Sequence, residues 1–435
     1  MVLAVLSLVF GGASRENELR LALVELASVP LLAFSLHRLI DTGRWREVRL
    51  PLGILSAVLL IPLLQLVPLP HAWWARLPGR DQVDLALQLG GVDAAWLPMS
   101  MAPEKTWASF LALLPPAAMM LATLLLRTSQ QRRMTLIFLL GAVASVLLGA
   151  AQLAAGGRGP LYLYETTTLK SAVGFFANRN HLAALLVATL PLAGVFVGEA
   201  IGRARGDRRM QIALGLLFSL LVVVGIGAVQ SRAGIMLAGP ALLGSLLVAW
   251  RASSKGHRAL AAVSLVLVGA TAAAAVAVFS LSPILQRFDS EGSERRFEDW
   301  AVIADAAETY LPVGTGMGSF DPVYRSVEPL DTMGAAFLNH AHNDFLETWL
   351  EAGWLGALVL VVFLGWWGFR SWRAWMAESE PYGSLARAAG LSIGLLLLHS
   401  LGDYPLRTET LAVFFAFCCG ILAARPMPRD PLPHA

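Results

Sequence analysis

The sequence predicts an all-α integral membrane protein with about twelve membrane-spanning helices. Of its 435 residues, 56% are hydrophobic and only 14% are charged, whereas a soluble domain averages about 25% charged residues. Apolar runs of about 20 residues, the length that a helix needs to cross a hydrocarbon core of about 30 Å, recur from the N-terminus almost to the C-terminus. Lipid is therefore the predicted solvent for most of the chain.

Hydropathy in windows of about 19 residues locates the twelve predicted spans. They lie at 1–14, 19–39, 51–69, 106–126, 134–154, 181–199, 211–229, 234–250, 259–281, 346–369, 384–401 and 408–424. Two long connections, 70–105 and 282–345, interrupt the series. We expect the second, which lies between the ninth and tenth spans, to carry short helices.

The basic residues predict how these spans are oriented. If the N-terminus is cytoplasmic, the even-numbered connections and the C-terminal tail lie inside, and these segments carry more than half of the 33 basic residues. Cytoplasmic loops are enriched in Lys and Arg, so we expect cytoplasmic termini, a cytoplasmic tail at 425–435, and both long connections outside. The net charge of +3 is too small to indicate a nucleic-acid partner.

The first long connection, 70–105, is rich in tryptophan and proline. These residues are Pro70, Trp73, Trp74, Pro78, Trp96, Pro98 and Pro103. Tryptophan rings prefer the headgroup level of a bilayer. We therefore expect this connection to be anchored at the membrane interface rather than to act directly on a substrate.

The stretch from His340 to Glu347, HAHNDFLE, is the one most indicative of chemistry. Two histidines, an amide and two acids meet there at the start of the tenth span. Histidine, with an unperturbed pKa of about 6.5, suits proton transfer near neutrality. The alternative interpretation is that Asn343 or Asp344 only caps the helix while the histidines are solvated.

Two arginines are candidates for binding phosphate. Arg232 lies in a short turn between two spans, and Arg296 opens an amphipathic stretch of the large connection. A guanidinium binds phosphate oxygens in a bidentate manner and remains charged, so a pair of them predicts a diphosphate clamp. An arginine at a helix end is also often an interfacial side chain or the partner of a carboxylate.

Further polar residues are expected to line a substrate groove at the same face. Arg179, Asn180 and His181 precede or begin the sixth span, and Asp403 follows the eleventh. His340 and Asn343 are expected to line the same groove. Polar groups at this depth are costly when they face lipid, which favours an internal orientation. The segment 314–320, GTGMGSF, is expected to be a tight turn that shapes the site.

Four short motifs, in order, resemble the O-antigen ligases and Wzy-type polysaccharide polymerases. His342 and Asn343, followed by nine residues and then GWLG at 353–356, are similar to the histidine motif of that family. The other similarities are SRAG at 231–234, the arginine four residues before the tryptophan in Arg296–Trp300, and LPVGTGMGSF at 311–320. The resemblance covers about residues 130–424 and departs from the family at 178–181, where NRNH replaces the usual Asn-Pro-Asn-His.

The resemblance implies a glycosyltransferase of the bacterial inner membrane whose active site faces the periplasm. Its donor would be a glycan on undecaprenyl diphosphate, and its acceptor a lipid A core or a second glycan. Arg232 and Arg296 would bind the diphosphate, and His342 would accept the proton of the acceptor hydroxyl. The implied reaction inverts the anomeric centre and needs no metal or cofactor, in keeping with a sequence that has no Walker-type glycine loop and no Cys-His metal spacing.

Two further expectations concern function and domain organisation. The sequence does not distinguish a ligase from a polymerase, and a membrane transporter is the alternative function, because carriers have been described on the same frame. The expected division is 1–130 for four N-terminal spans with the interfacial loop, 131–424 for the ligase-like domain with periplasmic loop 282–345, and 425–435 for the tail. Besides glycan donor and acceptor, membrane lipids are the expected partners.

Overall fold

The computed structural model describes residues 1–13, 18–157, 159–165, 171–202, 208–253, 270, 294–330, 333, 338–377 and 381–424. These residues are mainly helical, as predicted. The departure from the all-α prediction within these ranges is one antiparallel pair of short strands, β1 (Pro68–Pro70) and β2 (Trp96–Pro98). The predicted ninth span, except residue 270, and the predicted tail lie outside the described residues.

The helices follow one another with few long interruptions. Before the large connection they are α1 (Val2–Phe10), α2 (Glu18–Asp41), α3 (Arg49–Gln65), α4 (His71–Trp74), α5 (Asp81–Leu89), α6 (Pro103–Ala112), α7 (Leu114–Leu125), α8 (Thr128–Ala154), α9 (Arg179–Gly202), α10 (Arg208–Val229) and α11 (Arg232–Ala252). Beyond residue 293 they are α12 (Glu294–Thr309), α13 (Phe320–Val327), α14 (Asp344–Met376), α15 (Pro381–His399) and α16 (Glu409–Ala423). Short 3₁₀ helices at Arg44–Val48 and Pro405–Arg407 precede α3 and α16.

Seven described helical segments are long and apolar enough to cross a membrane. They are Leu19–Asp41, Arg44–Gln65, Pro103–Leu125, Thr128–Ala154, Arg179–Ile201, Arg232–Ala252 and Asp344–Met376, with shorter apolar helices at Ala213–Val229, Gly383–His399 and Glu409–Ala423. The first predicted span, 1–14, contains the nine-residue helix α1, which at 1.5 Å per residue rises about 14 Å and cannot cross a bilayer alone. The count of twelve spans therefore stays a prediction.

Helices α9 and α11 run parallel and in close contact. A Cβ atom added to Gly194 of α9 would lie 2.5 Å from the backbone oxygen of Ser245, and one added to Gly234 of α11 would lie 2.7 Å from the Cβ of Ala183. Gly194 and Ser245 are separated by the same number of residues as Ala183 and Gly234. The two helices therefore run in the same direction and keep one register between the two contacts. The start of α11 is therefore level with the start of α9.

The two ends of the bundle carry different polar groups. At one end, which we call the site end, α3 stops at Gln65 and α9, α14 and α16 begin. At the opposite end, Arg132 pairs with Glu199 of α9, and Arg251 donates a hydrogen bond of 2.7 Å to the Trp375 carbonyl. Arg370 donates to the Leu422 carbonyl at the end of α16, with an N–O distance of 2.6 Å. The opposite end is thus marked by arginines, whereas the site end is rich in acids and histidines.

The first long connection docks on the second through Arg80. This fully buried guanidinium donates hydrogen bonds to the carbonyls of Met99 (2.8 Å) and Gly314 (3.2 Å). It also lies 5.7 Å from the ring centroids of Trp74 and Tyr310, and burial lowers the pKa of Arg80 to about 10. Residues 70–105 thus contribute to the packing of the large connection.

Two tryptophans of the same connection remain available to a membrane interface. The side chains of Trp73 and Trp96 are 64% and 62% exposed. Exposed indole rings fit the headgroup level of a bilayer. The predicted interfacial anchoring therefore stays a prediction that is compatible with the docking role of Arg80.

Helix α14 is broken at Gly353, where the glycine-rich segment of the large connection packs against it. Gly353 has a φ of 54° inside the helix, and the amide of Trp354 donates instead to the Pro312 carbonyl at 3.0 Å. The amide of Gly316 donates to the Glu351 carbonyl at 2.9 Å. The break separates a nine-residue segment, 344–352, from the long apolar part of α14.

We expect Gly353→Ala to lower the free energy of unfolding by about 2 kcal/mol or more, because it combines a positive φ with a close backbone contact. An added Cβ would lie 2.3 Å from the Pro312 oxygen. Gly365→Ala in the same helix is the matched control, since a Cβ there meets nothing within 4 Å. Thermal unfolding of the detergent-purified variants measures both, and equal stability of the two variants would contradict the expectation.

Candidate functional site

His342 forms a hydrogen-bonded pair with Asp403 at the site end. The His342 residue adopts a left-handed backbone conformation (φ 49°), and its Nδ1 lies 2.9 Å from Oδ1 of Asp403. Asp403 is fully buried. Burial opposes its ionisation, but the hydrogen bond and charge of His342 hold the pKa of Asp403 well below its usual range. A carboxylate at Nδ1 favours the tautomer that leaves Nε2 as a proton acceptor.

A second histidine–carboxylate pair lies two residues away. Nδ1 of His340 is 2.7 Å from Oε1 of Glu347, and the Ala341 amide donates to Oε2 at 2.8 Å. The Glu347 side chain is fully buried, whereas 24% of the His340 side chain is exposed. Glu347 therefore holds both the backbone and one side chain of residues 340–343, which we call the histidine segment.

Arg407 is the counter-ion of three carboxylates on one face of α14. Its guanidinium lies 2.7 Å from Oε2 of Glu351, 3.2 Å from Oε1 of Glu347 and 3.7 Å from Oδ1 of Asp344. The spacing of these acids, i, i+3 and i+7, puts them on the same side of a helix. Burial opposes the charge of Arg407, but the negative charges of Glu347 and Glu351 raise its pKa above the ordinary value.

The start of α14 is also fixed by caps and by the chain that follows α15. Oδ1 of Asn343 accepts hydrogen bonds of 3.1 Å from the amides of Phe345 and Leu346. The hydroxyl of Ser400 donates to Oδ2 of Asp344 at 2.7 Å. The capping interpretation is thus confirmed for Asn343, whereas solvated histidines are not what the structure shows, because each ring binds a buried carboxylate.

Tyr404 is surrounded by three histidine rings. The centroid of its ring lies 4.3 Å from that of His340, 5.0 Å from that of His342 and 4.9 Å from that of His181. Burial and the neighbouring charge of Asp403 raise the pKa of the tyrosine hydroxyl. Tyr404 therefore remains a neutral packing surface that joins the two histidine–carboxylate pairs to the start of α9.

His181 is a buried part of this cluster. Its side chain is fully buried, and its Nδ1 lies 2.8 Å from the hydroxyl of Thr408. The amide of Asn180 donates to Oδ1 of Asn178 at 2.9 Å. Arg179 is half-buried and donates to the hydroxyl of Ser171 at 3.4 Å. The residues predicted to line the groove at 179–181 are thus at the site end, with His181 turned inward.

Helix α12 lies across the histidine segment. Arg296 donates to the Gly402 carbonyl at 3.2 Å, and the indole nitrogen of Trp300 donates to the Ala341 carbonyl at 2.8 Å. Residues four apart share one face of a helix, which explains the spacing of the Arg-x-x-x-Trp motif. Arg296 thus binds the carbonyl of the residue that directly precedes Asp403 in the sequence.

Arg232 opens α11 at the same end of the bundle. Oγ of Ser231 caps this helix by accepting a hydrogen bond of 3.3 Å from the Gly234 amide, and Gln230 before it has a φ of 53°. The parallel register of α9 and α11 puts Arg232 level with His181. The structure thus brings the predicted catalytic and diphosphate-binding residues to one end of the bundle.

Several residues of the cluster were not singled out from the sequence as site residues, namely Arg407, Glu351, Tyr404, Ser400 and Thr408. One sequence signal was available, since three acids at helical spacing in an apolar run need a buried cation. No group of three or more His, Cys, Asp or Glu side chains in the described part of the chain is arranged to hold a metal ion.

We expect Arg407→Met to lower the free energy of unfolding by about 3–5 kcal/mol near neutral pH, because it leaves buried carboxylates without a counter-ion. The loss should shrink as the pH falls, since protonation removes the uncompensated charge. Arg325→Met, which breaks an exposed i, i+4 pair with Asp321, should change stability by less than about 1 kcal/mol. Unfolding of both variants at two pH values tests this, and equal losses would contradict it.

Comparison with known proteins agrees with the motifs. Residues 217–361 match the family model described as O-antigen ligase. This range contains Arg232, Arg296 and His342, whereas Asp403 and Arg407 lie beyond it. No curated protein matches the chain. The match over these residues confirms the resemblance to the O-antigen ligase and Wzy superfamily that the motifs predict.

Proposed function

We propose that this protein transfers a glycan from undecaprenyl diphosphate to an acceptor hydroxyl at the periplasmic face of the bacterial inner membrane. The family whose model matches residues 217–361 implies membrane glycosyltransferase activity of the O-antigen ligase or polymerase type. The observation that carries the proposal is the 2.9 Å hydrogen bond between His342 and Asp403, with Arg296 bound to the adjacent Gly402. Membrane lipids surround the apolar helices.

The proposed reaction is a single displacement without metal. Nε2 of His342 accepts the proton of the acceptor hydroxyl, whose oxygen forms a bond to the anomeric carbon. The bond from that carbon to the diphosphate oxygen breaks, and its electron pair leaves with the diphosphate. Arg232 and Arg296 offset the negative charge that develops there. Attack opposite the leaving group inverts the anomeric centre.

The distribution of basic residues supports a periplasmic site. Arg132, Arg251 and Arg370 lie at the end opposite to the histidines. Arginine is enriched on the cytoplasmic side of membrane proteins. The site end would then face the periplasm, where a lipid-linked glycan exported from the cytoplasm is available.

We expect the purified wild-type protein in nanodiscs to transfer glycan from a synthetic undecaprenyl-diphosphate donor in the presence of EDTA. His342→Ala should lower turnover by at least about 100-fold, within the range of general base catalysis. Its membrane insertion and donor binding should stay near wild type. His71→Ala is the matched control, since His71 forms a 2.6 Å pair with Asp84 within the first long connection.

The acceptor offered in the same assay distinguishes the possible activities. Product on a lipid A core acceptor indicates a ligase, and a ladder formed from a second donor glycan indicates a polymerase. Turnover retained by His342→Ala would remove this residue as the base. Absence of product together with glycan or ion flux in liposomes would favour the transporter alternative over the proposed function.

We expect Arg232→Lys and Arg296→Lys to weaken donor binding nearly as much as the alanine variants, because lysine lacks the planar fork that binds two phosphate oxygens. Arg325→Lys, at an exposed position of α13, is the control. Donor affinity and turnover of each variant are measured with the same lipid-linked glycan. Full activity of both lysine variants would rule out the bidentate clamp.

A further inference from the structure

We propose that His340, paired with Glu347, is a second catalytic residue that donates a proton to the departing diphosphate. This inference rests on the proposed function, since it assigns a role within that reaction. The site then contains a base, His342, and an acid, His340, each oriented by its own buried carboxylate.

The two histidines are presented in the same way. Each binds a fully buried carboxylate through Nδ1, at 2.7 Å for His340 and 2.9 Å for His342. Each side chain is partly exposed, 24% for His340 and 18% for His342. Because Nδ1 of each ring is engaged with a buried carboxylate, we infer that the opposite edge, with Nε2, provides the exposed part of the ring. No described residue forms a hydrogen bond with either Nε2 atom.

The acids on this face of α14 outnumber the guanidinium that is paired with them. Glu347, Glu351 and Asp344 share the single guanidinium of Arg407. These four side chains together carry excess negative charge when all are ionised, and buried charge without compensation is costly. His340 adds a further hydrogen bond to this cluster, from its Nδ1 to Oε1 of Glu347.

Some of the other groups around His340 would stabilise a positive charge on its ring, and others would oppose it. The ring of Tyr404 lies 4.3 Å away between centroids, and an aromatic ring attracts a cation that approaches its face. Arg407 lies 3.2 Å from the same Oε1 of Glu347 that His340 binds, and its positive charge opposes a charge on His340. Protonation of His181 or His342 would oppose it as well. His181 is buried against Thr408 and His342 is paired with Asp403, whereas His340 is hydrogen-bonded to an acid of α14.

The complete step is balanced in protons and electrons. The acceptor hydroxyl gives its proton to His342 as its oxygen bonds to the anomeric carbon. The electron pair of the broken carbon–oxygen bond remains on the diphosphate oxygen, which takes the proton of His340. The products are a glycosylated acceptor, a protonated diphosphate, a protonated His342 and a neutral His340. Proton exchange with solvent restores the starting state.

The test is the pH dependence of transfer, with wild type and His340→Gln compared between about pH 6 and 9. A base and an acid together give wild type a bell-shaped profile. His340→Gln should lose the falling limb at high pH and lower the rate near pH 7 by about 10- to 100-fold, a modest factor within general acid catalysis because diphosphate is already a good leaving group. His71→Gln, with its own carboxylate partner, should retain the wild-type profile.

Glu347→Gln is the second variant, because it retains His340 and replaces the carboxylate at its Nδ1 by an uncharged amide. Its falling limb should move to lower pH. A falling limb that persists at the same pH in either variant would overturn the inference while leaving the proposed function intact. Lack of transfer by wild type at every pH would instead overturn the proposed function.

Discussion

The ion pairs of Arg407 with Asp344, Glu347 and Glu351 are the contacts on which the arrangement of the site depends. Arg407 ends a 3₁₀ helix just before α16, whereas the three acids are on α14. The pairs therefore join chain segments that are distant in sequence. Once buried, such a cluster is expensive to break, because each acid that loses its partner remains in a medium of low dielectric constant. Through Glu347 the same cluster fixes the backbone at Ala341 and the side chain of His340.

The N-terminal part of the chain belongs to the scaffold of the site, although the family resemblance begins only near residue 130. Gln65, at the end of α3, donates from Nε2 to the Glu351 carbonyl at 2.8 Å and accepts from the Met317 amide at 2.9 Å. It thus bridges α14 and the glycine-rich segment beside the break at Gly353. Arg80 adds a second bridge, from the first long connection to Gly314. A division of the chain at residue 130 would therefore describe sequence similarity better than packing.

Local features were predictable from the sequence, and pairings between distant segments were only partly so. Apolar length predicted the seven described helices that are long enough to cross a membrane. The depth of Asp403 suggested an internal orientation, and the structure shows this residue buried and hydrogen-bonded to His342. The sequence could not identify Arg407 as the partner of the acids on α14. Several arginines follow these acids, and hydropathy does not indicate which of them packs against α14. Tyr404 was also missed, since the histidines that surround its ring come from segments more than 60 residues away.

The acidic residues of the site raise a physical difficulty for any anionic substrate, and their arrangement answers it. Four carboxylates within this cluster would repel a diphosphate if they faced it. Glu351 and Asp344 are covered by Arg407, Glu347 by Arg407 and His340, and Asp403 by His342. The groups left at the accessible side are imidazole edges, and Arg296 is bound beside them. The acids then act on a substrate only through the cations and histidines that they orient, so a site rich in negative charge can present basic groups to a phosphate.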